Sequence, residues 1–127
     1  MKRRLSVSVG GDGAFISGFY DRAIRAAVEL VAAHGGGTVE ILPGTYTLRG
    51  AIRLRPHIRL IGCGEKTLLV KAPSSTVPLA EDTDWYEWRV TLTDADSFSV
   101  GDDILLQGTC PHSGRPLGTK HTVTAKE

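Results

Sequence analysis

Residues 35–50 read GGGTVEILPGTYTLRG, and they restrict the fold more than any other stretch. Three glycines close the amphipathic segment before them. A short apolar strand follows with Val39 and Ile41 on one face. A Pro43-Gly44 turn comes next, then a second alternating strand over residues 45–48. Alternation with period 2 marks each piece as a strand. The join is a corner rather than a hairpin loop, so the chain reads as winding around an axis.

The segment before the glycines is the clearest helix. Ile24, Ala27, Val28 and Val31 fall at i, i+3, i+4 and i+7, which gives one apolar stripe. The spacing predicts a helix over residues 19–33, with Ser17 as its N-cap. His34 suits the negative end of a helix, and Gly35 supplies a left-handed stop. Residues 5–9 alternate apolar and small polar, as a first strand does.

After the helix, apolar pairs recur: Val39/Ile41, Tyr46/Leu48, Ile52/Leu54, Ile58/Leu60 and Leu68/Val70. Leu60 follows Ile41 by nineteen positions and Leu68 follows Leu48 by twenty. A repeat of about twenty residues holding several short strands is the signature of one turn of a β-solenoid. The expected architecture is therefore mostly β, a right-handed parallel β-helix with an N-terminal capping α-helix. It is one partial domain over residues 1–127, with its first coils at 38–72 and an irregular loop region with further strands at 73–127. Expected there are strands at 89–93, 104–106 and from His121, with a Gly/Pro loop over 110–118. Because no capping signal closes the C-terminal end, self-association through that end is expected.

Bulk properties exclude several classes. The net charge is +1, from 15 Lys/Arg against 14 Asp/Glu. With no evident basic stripe, nucleic acid is not an expected partner. No apolar run reaches the 18 residues of a membrane span, so no membrane partner is expected. Lys2, Arg3 and Arg4 begin like a signal peptide, but the apolar run after them is too short for one. Cys63 and Cys110 read as two unpaired thiols.

Each chemical constellation has a structural alternative beside it. Residues 62–67, GCGEKT, follow a strand, but they lack the phosphate-loop spacing and read as a tight corner. Cys63, Cys110, His112 and His121 include zinc-ligand types, yet only Cys110 and His112 are close in sequence. No metal site is assigned from them. Asp94, Asp96, Asp102 and Asp103 offer hard oxygen ligands for Ca²⁺, but an EF-hand spacing is absent and turn-forming Asp is the better reading, so no cofactor is expected. Glu40 alternates with Val39 and Ile41, so it faces solvent. Trp85, Tyr86 and Trp88 form an aromatic cluster. Aromatic faces stack on sugar rings, so these three are the candidate substrate-binding residues.

A family resemblance rests on particular residues. Residues 23–28 (AIRAAV), 35–46 (GGGTVEILPGTY), 52–54 (IRL) and 58–69 (IRLIGCGEKTLL) resemble the N-terminal part of pectate-lyase-like right-handed parallel β-helix proteins. Phe98, Val100, Gly101 and Asp102 resemble a turn found there. The resemblance implies a helix-capped entry segment of a protein that binds or degrades polysaccharide, a lyase or glycoside hydrolase when full-length. It also implies an extracellular or cell-surface setting. It carries no catalytic residue onto this chain, because the matched segment is not where such enzymes hold theirs. The alternative is a non-enzymatic scaffold or assembly module of the tailspike type.

Overall fold

The computed structural model describes residues 4–83 and 87–127. The chain divides into two compact units, Met1–Ala72 and Pro73–Glu127.

The first unit is built on a β-α-β crossover. Strand β1 (Leu5–Gly10) is followed by the short β2 (Ile16–Ser17), helix α1 (Asp21–Ala33) and β3 (Gly37–Ile41). β1 and β3 run parallel, with Val7 opposite Val39 and Val9 opposite Ile41. Parallel neighbours need a crossover of this length, and α1 provides it. Strand β4 (Gly44–Leu48) turns away, and β5 (Ile58–Ile61) returns to pair with β3. Strand β6 (Thr67–Lys71) then pairs with β4. Sheet order is β2-β1-β3-β5 in one sheet and β4-β6 in the other.

The core follows from this pairing. Val7, Val9, Val39 and Ile41 meet Ile24, Ala27, Val28 and Val31 of α1, all buried. The helix begins two residues later than its apolar period predicts. Tyr20 is its N-cap and makes no side-chain cap bond. Ser17 lies in β2 instead. Asp21 takes over the first turn: its carboxylate is 3.2 Å from Arg25 and accepts the Arg49 amide at 3.4 Å. A carboxylate there also suits the positive helix end. At the other end Gly36 N–H donates to Val31 O and Gly35 N–H to Ala32 O, with φ of +107° and +85°. That is a Schellman stop, which favours glycine. Gly37 then passes so close to the Leu5 carbonyl that a Cβ would collide with it.

Tyr46 closes the core and is 0% exposed. Its hydroxyl donates toward Leu42 O at 2.7 Å and Val9 O at 3.0 Å. Its ring lies 5.3 Å from that of Phe19.

The second unit is of a different kind. Strands β7 (Asp103–Thr109) and β8 (Pro116–Thr122) form an antiparallel hairpin, pairing Asp103 with Thr122 and Thr109 with Pro116. The buried hydrophobic side chains among the described residues all belong to the first unit. The expected loop over 110–118 is shorter, because Pro116–Gly118 already lie in β8. In place of a strand at 89–93 there is a single antiparallel bridge, Leu79 to Leu92.

These facts overturn the right-handed parallel β-helix. Among the described residues the chain is a small mixed α/β structure with one α-helix and short separate sheets of two to four strands. Parallel pairing ends at Lys71, and the strands beyond it pair antiparallel. The inferred twenty-residue repeat also fails in register. Leu60 lies opposite Val39, not Ile41, and Leu68 lies opposite Thr45, not Leu48. Tyr46 pairs with Leu69, so Leu69 rather than Leu68 shares its face.

Tyr46→Phe tests how this core is closed. Burial pushes the Tyr46 phenol above its ordinary value, with Cys63 adding to the rise. A group whose folded pKa is raised contributes stability that is intact below its unfolded pKa, about 10 for Tyr, and is lost as pH rises further. Thermal melts should show Tyr46→Phe destabilised by about 1 kcal/mol near neutral pH. The parent should lose more stability than the variant above about pH 10. Parallel pH profiles would contradict this.

Candidate functional site

Of the three aromatic candidates, Trp85 and Tyr86 lie outside the described residues. Trp88 is fully exposed. It borders a shallow concavity of about 330 Å³ with Glu81, Asp82, Thr83, Glu87 and Arg89. The Arg89 guanidinium is held 3.3 Å from Glu127. This surface therefore combines an open indole face with exposed carboxylates.

The aspartates serve the turns they sit in. Asp94 accepts the Asp96 amide at 2.9 Å, and Asp102, itself buried, accepts the Ser99 amide at 2.7 Å. Asp103 accepts the Thr122 hydroxyl at 2.9 Å across the hairpin. Among the described residues no group of three or more His, Cys, Asp or Glu is placed to hold a metal ion. Glu40 is exposed and accepts the Ser6 hydroxyl at 3.1 Å.

Residues 62–67 form a braced corner. Thr67 donates to Ile41 O at 3.0 Å and accepts the Cys63 amide at 2.8 Å, while Gly64–Lys66 make one 3₁₀ turn. The backbone there is committed to joining β5 to β6.

Both cysteines are free. Cys110 sits at the tip of the β7–β8 hairpin, where its amide donates to Arg115 O and its carbonyl accepts from Gly114, each at 2.8 Å. The Ser113 hydroxyl, then the Ser113 and His112 amides, hold its thiol below the ordinary range. His121 contacts Thr119 Oγ1 at 2.9 Å.

The feature that motif reading missed is β6. Leu68, Leu69 and Val70 are 51%, 44% and 46% exposed. Leu69 faces the Tyr46 side and its two neighbours the opposite side, so the strand is apolar on both faces. A parallel strand with this pattern is normally covered on both sides. No strand pairs with the far edge of β6 or of β5 among the described residues. The segment that carries these two strands is rich in cations. Residues 49–71 hold six Arg/Lys and one carboxylate, Glu65. Arg53, Arg59 and Lys66 are all exposed. Counting cations by segment would have found this, whereas the chain-wide total conceals it.

No family model, curated protein or solved structure matches this chain.

The hairpin tip gives one measurable consequence. Cys110 should be alkylated by iodoacetamide at a pH where an ordinary thiol is still slow, because the thiolate is the nucleophile. Ser113→Ala should move the pH profile of Cys110 alkylation upward, as followed by peptide mass spectrometry. An unchanged profile would remove the role given to the Ser113 hydroxyl.

Proposed function

We propose that this chain is a non-enzymatic assembly module that accepts a further polypeptide strand on the open edge of β6. The observation that carries this reading is a parallel edge strand apolar on both faces, with no strand against it among the described residues. Exposed edges of this sort pair with other chains unless charge, proline or a bulge blocks them. The run from Thr67 to Val70 contains none of these. Backbone hydrogen bonds supply the affinity in such strand addition, and pockets for alternate side chains supply the selectivity.

A variant isolates the edge from the fold. Leu69 is already half-exposed, so Leu69→Asp costs little in the isolated chain. It places an unpaired carboxylate where an added strand would pack. Light scattering at rising concentration should show association in the parent and none in the variant, with equal helical circular dichroism. Equal association in both would contradict strand addition.

A second reading has its own observation, the open indole of Trp88 beside the concavity. An exposed ring of this kind stacks on the apolar face of a sugar, so polysaccharide binding belongs to the second unit. Titration with soluble neutral and acidic polysaccharides should give saturable binding in the parent that Trp88→Ala weakens at least tenfold. Binding unaffected by Trp88→Ala would end this reading.

A further inference from the structure

The two units carry opposite charge. Residues 1–72 hold eleven Lys/Arg against five Asp/Glu, a formal +6. Residues 73–127 hold four against nine, a formal −5. The near-neutral total of +1 is the residue of two strong, segregated charges. In the first unit the exposed cations include Arg59 within β5, Lys66 just before β6, and Arg53 in the segment between β4 and β5. In the second, Glu81, Asp82 and Asp96 are exposed.

From this segregation we infer that the partner on the basic edge of the first unit is a second copy of this chain, docked head to tail through its acidic second unit. The inference rests on the strand-edge reading only for where the partner docks. Charge decides between the ways two copies can meet. A two-fold contact would set β6 of one copy against β6 of the other and bring two cation-rich rims together. Like charges so placed disfavour the wrong pairing, while opposite ones steer the right one. The second unit is also equipped to supply a strand, because among the described residues its sheet has two members and hence open edges. Leu105 in β7 is exposed on that hairpin. A head-to-tail contact leaves one basic edge and one acidic unit unused. It therefore propagates beyond the dimer or closes into a ring.

Sedimentation equilibrium on the full chain tests this. The attraction acts over a screening length of about 30 Å at 0.01 M salt and about 3 Å at 1 M. At low salt the average mass should rise with concentration above the 13.6 kDa monomer, and at high salt it should return to it. Two charge-reversed chains sharpen the test: Arg53→Glu/Arg59→Glu/Lys66→Glu, and Glu81→Lys/Asp82→Lys/Asp96→Lys. Each alone should stay monomeric at low salt. Mixed, they should form a one-to-one complex, since the first retains the acidic unit and the second the basic edge. That restored complex also demonstrates that both variants are folded. A parent that is monomeric at low salt would overturn the inference. So would an acidic-unit variant that associates as the parent does, or a mixture that stays monomeric. Association indifferent to salt but abolished by Leu69→Asp would overturn the head-to-tail contact and leave strand addition standing.

Discussion

The parallel pairing of β1 with β3 beneath α1 is the interaction on which the first unit depends. It sets Val7, Val9, Val39 and Ile41 against the apolar stripe of the helix. Every later strand takes its position from it. β5 adds to β3, and β4 carries Tyr46 back into the same core. Gly37 makes the pairing feasible, because only a residue without Cβ can pass the Leu5 carbonyl at that distance. Burial of aliphatic side chains here is the main favourable term, at about 25 cal/mol per Å² of apolar surface removed from water.

The same pairing explains why the first unit is left with an open edge among the described residues. β5 pairs beside β3 and β6 beside β4, and each is the outermost strand on its side of its sheet among the described residues. Their apolar side chains are only partly buried. Lys66 precedes β6 and Lys71 is its last residue, so neither interrupts its apolar centre. Charged residues can guard an edge against like-charged neighbours while leaving it open to an acidic one. The surface thus combines a nonspecific driving force with a specific filter. The second unit contributes no buried hydrophobic side chain among the described residues and is held by hairpin and turn hydrogen bonds.

Much of the first unit was legible in the sequence, down to individual residues. Ile24, Ala27, Val28 and Val31 are buried in the helix as their spacing requires, and Val39, Ile41 and Tyr46 are buried in strands. Register was not legible. A period of two fixes which residues share a face within one strand, but not which residue lies opposite in the next. β6 made this worse, because three successive apolar residues hide the parity that would distinguish Leu68 from Leu69. The helix start was missed because α1 begins without a side-chain cap: Tyr20 occupies the N-cap position and makes no such bond, while the Asp21 carboxylate is engaged by Arg25 and by the Arg49 amide. The hairpin of the second unit was obscured by Pro116 and Gly118, which read as loop yet sit in an exposed strand where a missing ladder donor is tolerated. As for the site, Trp88 stood out as an aromatic. The charged rim did not, since the unit boundary that separates +6 from −5 appears only in the fold.

The central claim is that the far edge of β6 is a site for another strand. Amide hydrogen exchange across Thr67–Lys71 addresses it directly, compared between dilute and concentrated low-salt solutions of the full chain. On this account the β6 amides facing away from β4 exchange freely when dilute and become protected on concentration. Amides within the β1–β3 ladder should stay unchanged. Exchange at β6 that is identical at both concentrations, in a sample that has demonstrably associated, would contradict the account.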